Sequence, residues 1–107
     1  MNDPRLDRGD FGLLLLGLLA DRPMYGYELL AELRARTRAV IDLPEGTVYP
    51  ALRRLERDGL IAGRWQDAAG APRRRYYDLT ADGARSLADG AAAWRKFASA
   101  ADTILGS

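Results

Sequence analysis

Residues 45–61 read EGTVYPALRRLERDGLI, a segment that combines a helix with the first residues of a strand. Proline is tolerated only in the first turn of a helix, where its missing N–H would have no partner anyway. Because of Pro50, we expect this helix to begin near residue 46 or 47 and to continue to Asp58. Gly59 is the expected C-cap, since glycine readily adopts the left-handed conformation that ends helices.

The two faces of this helix differ in chemistry. Val48, Leu52 and Leu55 share one face at helical spacing, which predicts burial. The opposite face is short, polar and basic, and it collects Gly46, Thr47, Pro50, Arg53, Arg54 and Arg57, with Tyr49 at its flank. A basic helix face is typical of nucleic-acid recognition. The alternative is that Arg53 and Arg54 form ordinary ion pairs along the helix with nearby acidic residues.

Two helices are predicted before this segment. The first extends from Asp10, a good N-cap, to Ala20, and the second from Gly26 to Arg36. Leucines surround the first helix instead of forming a single stripe, and such a helix requires burial on more than one side. It is therefore either part of a subunit interface or a central helix of the core.

A β-hairpin is predicted after the third helix. Residues 60–65 and 74–79 have the composition of strands, and turn-forming and small residues at 67–72 separate them. Trp65 is expected to pack against this hairpin. Three helices followed by a hairpin is the order of a winged helix-turn-helix, in which the third helix enters the major groove and the hairpin tip touches the phosphate backbone.

A last helix of about 25 residues is predicted after Thr80, its N-cap. Its apolar residues alternate at spacings of three and four, as in a coiled coil. They are Ala84, Leu87, Ala91, Trp94, Ala98, Ala101 and Leu105, with Phe97 and Ile104 widening the stripe. A helix about 37 Å long exceeds what so small a domain can cover. The stripe predicts a partner helix, most simply from a second copy of the chain; the alternative is a helix folded back on its own domain.

Composition restricts the class of function. The 107 residues contain no cysteine and no histidine, which excludes disulfides, the usual zinc sites and the usual general base near neutral pH. No nucleophile–base pair and no phosphate-binding loop is evident. We therefore expect no enzymatic activity, no catalytic or metal-binding residues and no cofactor.

The apolar run at 11–20 is not expected to target the chain to a membrane. The segment before this run contains three aspartates, which is unlike the positively charged start of a signal peptide. No cleavage site made of small residues follows the run. A bilayer span needs about 20 apolar residues. A cytoplasmic location is expected.

The charge of the chain is unevenly distributed. Residues 53–75 hold seven arginines against three carboxylates, a net charge of +4, whereas the remaining residues sum to −3 and the whole chain to +1. A concentration of positive charge in one segment is what a phosphate-binding face needs. The alternative for the arginine run at 73–75 is a solvated strand edge. One of Tyr76 and Tyr77 is expected to lie in the core.

Three motifs resemble the PadR family of bacterial regulators. They are LGLLADRPMYGYEL at 16–29, EGTVYPALRRLERDGLI at 45–61 and PRRRYYDLT at 72–80. Each motif is weak alone, but the three match the family's pattern in order and spacing between Leu14 and Leu79. The single C-terminal helix is similar to the short subgroup of that family.

The resemblance implies a homodimeric repressor that binds a pseudo-palindromic operator in double-stranded DNA. It assigns DNA contacts to the third helix, the start of the second helix and the wing. The residues are Thr47, Tyr49, Pro50, Arg53, Arg54, Tyr25, Tyr27, Arg73 and Arg74. The alternative is a winged helix that serves as a protein-interaction module without DNA, and the basic segment argues against it.

The resemblance also implies that the first and last helices build the dimer. In some short members the tryptophan at the position of Trp94 lines a pore in which planar aromatic ligands stack, so a small planar effector is expected. The expected interface and ligand-binding residues are Leu15, Leu18, Leu87, Ala91, Trp94, Phe97, Ala98 and Ala101. Small residues at 90–93 either leave a cavity beside the indole or allow two helices to approach closely.

Three regions are expected along the chain. Residues 1–9 form a flexible N-terminus, residues 10–79 a winged helix-turn-helix that binds DNA, and residues 80–107 a dimerisation helix. The expected fold class is mostly α with a small β-hairpin.

Overall fold

The computed structural model describes residues 10–106, so the expected N-terminal segment 1–9 lies outside the described residues. The elements in chain order are α1 (Asp10–Leu19), β1 (Met24–Tyr25), α2 (Gly26–Arg36), α3 (Glu45–Arg57), β2 (Ile61–Ala68), β3 (Ala71–Leu79) and α4 (Ala81–Leu105). The predicted fold class, a winged helix-turn-helix with a long C-terminal helix, is confirmed. α3 begins at Glu45, slightly earlier than predicted, and Pro50 still lies near its start.

The wing is longer than predicted, and a third strand joins it. β2 and β3 continue to Ala68 and from Ala71, so that the turn consists of residues 69–70 and not of a loop at 67–72. β1 pairs antiparallel with β3, which gives the strand order β1-β3-β2. The turn is tight because Gly70 adopts a left-handed conformation, with φ at 69°.

The core lies between α1, α2, α3 and the base of the sheet. Leu15, Leu16, Leu18 and Leu19 of α1 are all buried in the single chain. The burial of these four leucines places α1 at the centre of the core, which is one of the two alternatives that its sequence left open. The inner face of α3 and Ile61 of β2 complete this core.

Tyr77 is the tyrosine of the wing that belongs to the core. Only 7% of its surface is exposed, whereas Tyr76 on the opposite face of β3 is half-buried. Burial raises the pKa of the Tyr77 phenol above its ordinary value, and the nearby Arg75 guanidinium acts in the opposite direction.

α4 is locked to the base of the wing at its N-terminus. The Thr80 hydroxyl accepts a hydrogen bond from the Gly83 N–H at 2.9 Å and donates one to the Gly59 carbonyl at 2.7 Å, which confirms Thr80 as the N-cap. A Cβ at Gly83 would overlap the Leu60 carbonyl oxygen. Only glycine therefore allows α4 to start so close to the turn between α3 and β2.

The two halves of α4 have different surroundings. Its first half packs on α1, where a Cβ at Gly90 would lie 2.6 Å from Cδ1 of Leu13. Its last turn is open to solvent, with Ile104 and Leu105 exposed by 86% and 78%.

Within residues 10–106, no helix is long and apolar enough to cross a membrane. The same residues contain no cluster of acidic side chains suited to a metal ion.

Candidate nucleic-acid interface

α3 is held by its apolar face and presents its basic face outward. Val48 and Leu52 are fully buried, which fixes the helix in the domain. Arg53 is exposed, and Arg54 is half-buried at the edge of the same face. The predicted division of α3 into a core face and a basic face is therefore present in the structure.

Ion pairs neutralise only part of the basic segment. The pairs are Arg57–Asp58 at 3.7 Å, Arg64–Asp78 at 2.8 Å, Arg73–Asp67 at 3.7 Å and Arg75–Glu56 at 2.7 Å. Among residues 10–106, no carboxylate pairs with Arg53, Arg54 or Arg74. The alternative in which Arg53 and Arg54 form ion pairs along the helix is not observed. Their charges remain available to an anionic partner.

Tyr49 connects α3 to the start of α2. Its ring lies directly against the backbone of Gly26, where a Cβ would be 2.6 Å from Cε1 and 2.9 Å from the hydroxyl oxygen of Tyr49. Gly26 therefore permits a close approach that any larger residue would obstruct. With 40% of its surface still exposed, Tyr49 can both hold the helix in place and offer its hydroxyl to a partner.

Thr47 and Pro50 lie in the first turns of α3 and are half-buried. The Thr47 N–H donates to the Pro44 carbonyl at 2.9 Å, which begins the helix. Both residues lie at the N-terminal end of α3, which carries the positive end of the helix dipole.

Tyr25 and Tyr27 are in different environments, although both were expected near phosphates. Tyr27 is 63% exposed on α2. Tyr25 is half-buried in β1, and its ring makes an edge-to-face contact with Tyr76, with ring centroids 5.3 Å apart. The Arg74 guanidinium lies 4.7 Å from the centroid of the Tyr25 ring. Tyr25 thus supports Arg74, while Tyr27 is open to contact.

Arg73 and Arg74 point to opposite faces of the wing, because successive strand residues alternate. Arg74 lies on the same face of the wing as Tyr25, which is the face opposite to the core. Arg73 shares the other face with Trp65 and lies 5.3 Å from its ring, as does Arg75 at 5.4 Å. Trp65 was expected to pack on the hairpin; it does so through these two guanidinium groups, with 57% of its surface exposed.

The expected interface and ligand-binding residues do not form one surface. A groove of about 330 Å³ between α1, α2 and α4 is lined by Leu18, Leu87, Ala91 and Trp94, together with Leu13, Leu14, Gly17, Leu33, Arg36, Thr37 and Arg95. Phe97 lies farther along α4, with its ring 5.8 Å from that of Trp94. Ala98 and Ala101 follow and are half-buried. Leu15 has no exposed surface and lies within the core of the single chain.

Comparison with known proteins agrees with this geometry. A family model described as the transcriptional regulator PadR-like family matches residues 15–89, well over half of the chain. The chain belongs to the PadR-like family. The family and the fold are those of transcriptional regulators and not of enzymes. An uncharacterized protein of Lysinibacillus sphaericus is 30% identical over 87 residues, which cover 81% of this chain and 80% of that protein.

Solved structures of transcriptional regulators resemble this PadR-family protein over nearly its whole length. A transcriptional regulator from Clostridium thermocellum superposes with a TM-score of 0.84 at 26% identity and covers 96% of this chain and 97% of its own. A PadR-family transcriptional regulator from Eggerthella lenta superposes with a TM-score of 0.81 at 35% identity, covering 94% of this chain and 86% of its own.

Sequence reasoning missed two contacts that shape the interface of this PadR-family protein, one polar and one steric. Glu56 and Arg75 pair with each other across the space between α3 and the wing. Their positions in the sequence, 19 residues apart, contain no periodic signal that would connect them. Gly26 was also missed, since the close approach of Tyr49 depends on the crossing of α2 and α3.

Proposed function

We propose that this PadR-family protein is a homodimeric repressor that binds a pseudo-palindromic operator. The observation that supports it best is the set of three arginines without ion-pair partners among the described residues. Arg53 and Arg54 lie on the outer face of α3, and Arg74 lies on the wing, supported by Tyr25. Unpaired arginines on the helix and wing of this fold suit DNA, because arginine binds both phosphates and guanine edges.

The residues have separate roles in this proposal. Arg53 and Arg54 read base edges or clamp the groove, while Thr47 and Tyr49 set the register of α3 on the backbone. Tyr27 and the wing arginines Arg73 and Arg74 add contacts to phosphates that do not depend on sequence.

The division of the chain follows from the same proposal. Residues 10–79 form the DNA-binding domain and residues 80–107 the dimerisation helix. Support for dimerisation comes from the exposed apolar end of α4. A two-fold dimer places two recognition helices on half-sites about 10 bp apart or a multiple of that spacing.

A small planar aromatic molecule is the proposed effector. The groove has the size of a small-molecule site, and the Trp94 indole in its wall provides a surface on which a planar ring can stack. Two guanidinium groups, from Arg36 and Arg95, are also in its lining. Binding would relieve repression by favouring one spacing of the two winged domains over another.

The DNA proposal is tested by fluorescence anisotropy across a salt series. The duplexes are the region upstream of the protein's own gene, a duplex enriched by the protein from a random-sequence pool, and scrambled versions of both. We expect the enriched duplex to bind at least about 1,000-fold more tightly than its scramble. The expected log–log salt slope corresponds to several phosphate contacts. Equal binding to every duplex would contradict sequence-specific regulation, and absence of binding at low salt would favour the protein-interaction alternative.

The effector proposal is tested with the Trp65→Phe variant, in which Trp94 is the sole tryptophan. A panel of planar aromatic compounds should include one that saturably quenches Trp94 emission and weakens operator binding in parallel. An unchanged emission across the panel at saturating concentration would contradict the proposal. Quenching without any change in DNA affinity would contradict the regulatory role and leave only a binding site.

A further inference from the structure

One carboxylate ties the C-terminal end of α3 to both strands of the wing. Oε2 of Glu56 accepts a hydrogen bond from Nη2 of Arg75 on β3 at 2.7 Å. The same oxygen accepts a second one from the N–H of Gly63 on β2 at 3.2 Å. The two side chains are only partly accessible, with 33% of Glu56 and 31% of Arg75 exposed. The wing is therefore attached to α3 by a polar contact near the point where the two diverge.

The wing is shaped to hold the Arg75 guanidinium in this position. A Cβ at Gly63 would lie 2.6 Å from three atoms of that group, so Gly63 provides the space in which it rests. The rings of Trp65 and Tyr77 flank it, with centroids 5.4 Å and 5.8 Å from the guanidinium carbon. A side chain enclosed in this way is oriented toward Glu56 and not toward solvent.

The three consecutive wing arginines therefore differ in what they can do. Arg74 has no carboxylate partner among the described residues, and the partner of Arg73 is Asp67, whose side chain is 92% exposed. Arg75 alone has its charge paired with a carboxylate that is two-thirds buried. Such charge-assisted hydrogen bonds are shorter and about twice as strong as neutral ones.

We propose that Glu56 and Arg75 are positioning residues that hold the wing at a fixed distance from the recognition helix α3. This inference rests on the proposed DNA-binding function. The pair lets base contacts from α3 and phosphate contacts from the wing form in a single docking event, because a preorganised surface loses less conformational freedom on binding. Arg75 acts through Glu56 and does not itself contact DNA.

The Glu56→Gln variant separates positioning from simple electrostatics. Removal of one negative charge near a DNA-binding face should by itself strengthen binding to every duplex. If the pair positions the wing, binding to the enriched operator instead weakens, while binding to the scramble is unchanged or slightly tighter. We expect the operator-to-scramble ratio to fall on the order of tenfold, the effect of losing one charge-assisted hydrogen bond.

Asp58→Asn is the matched control. It removes the same charge two residues farther along, from a carboxylate whose pair with Arg57 is longer and more exposed. This variant should bind both duplexes slightly more tightly and keep the wild-type ratio. Thermal unfolding of each variant, followed by circular dichroism, establishes that it is folded at the assay temperature.

A double-mutant cycle with Arg75→Met tests whether Glu56 and Arg75 act through their contact with each other. We expect the double variant Glu56→Gln/Arg75→Met to have the same operator-to-scramble ratio as either single variant, since both remove one contact. If Arg75→Met instead weakens both duplexes equally and lowers the salt slope by about one, Arg75 is a phosphate contact and the inference is wrong. A Glu56→Gln variant that keeps the wild-type ratio also overturns it.

Failure of this inference is distinguishable from failure of the proposed function. A wild-type protein without operator preference contradicts the proposed function. A wild-type protein with that preference, and a Glu56→Gln variant that retains it, contradicts only the positioning role.

Discussion

The winged end of the molecule and the far end of α4 expose opposite kinds of side chain. At the winged end, arginines and aromatic rings are already ordered by contacts within one chain, such as Arg74 on Tyr25 and Arg75 on Glu56. At the far end, Ile104 and Leu105 lie in solvent. The winged end is thus a formed polar surface, whereas the end of α4 is an apolar surface that is exposed in the single chain.

The largest effect should come from breaking the proposed dimer at α4. Ala98→Glu places a charge within the apolar stripe of the helix, and burial of an unpaired charge is strongly unfavourable. We expect the apparent mass in analytical ultracentrifugation to fall to that of one chain, 11.8 kDa. Operator affinity should fall roughly 100-fold, because the two half-sites would no longer be bound in one event.

Thr103→Glu is the control for this dimer variant. It adds the same charge on the opposite side of α4, at an exposed position. It should leave both the mass and the operator affinity unchanged. A monomeric wild type, or an Ala98→Glu variant that remains a dimer with full affinity, would contradict dimerisation through this stripe.

The next effect concerns the recognition helix. Arg54→Ala should weaken operator binding by about 1–3 kcal/mol, the range for loss of one good base contact, with little change on scrambled duplex. Arg57→Ala serves as the comparison, since its guanidinium already faces Asp58. If Arg54→Ala weakens operator and scramble equally, Arg54 is a phosphate anchor and does not read bases.

A smaller effect is expected from the wing. Arg74→Ala should weaken binding to both duplexes to the same degree and lower the log–log salt slope by about one. Arg85→Ala removes an arginine on α4 that pairs with Asp82, and its slope should match the wild type. An unchanged slope in Arg74→Ala would exclude a phosphate contact by this residue.

The smallest expected effect is a change in tryptophan fluorescence. One tryptophan lies on the wing and the other lies in the groove of the proposed effector. In Trp94→Phe, the emission of Trp65 on the wing should change on binding operator duplex, because Arg73, the proposed phosphate contact, lies beside its ring. In Trp65→Phe, the emission of Trp94 in the groove should change little with the same duplex. A DNA response confined to Trp94 would reverse the assignment of the two sites.

Helical periodicity and capping residues allowed most of the helical architecture to be predicted. The core face of α3, the cap at Thr80 and the length of α4 depend on local spacing, which a sequence displays directly. β1 could not be predicted in the same way. Its two residues are too few for any pattern, and they form a strand only because β3 lies beside them.

The candidate site was predicted less completely, because its details depend on contacts between elements. Leu15 was expected at an interface, yet it is fully buried in the single chain, since an all-round leucine helix does not reveal which side faces its own core. Arg73, Arg74 and Arg75 look equivalent in sequence. Only the strand register and Glu56 on another element show that Arg75 is held in place.

Half-site spacing tests both ends of the molecule in a single measurement. Anisotropy would be measured on the enriched operator and on versions with 5 or 10 bp inserted between its half-sites. A dimer of winged helices predicts that the 5 bp insertion, which rotates one half-site by about half a turn, weakens binding far more than the 10 bp insertion. Equal affinity for all three duplexes would show that each winged domain binds alone and would contradict a dimeric regulator.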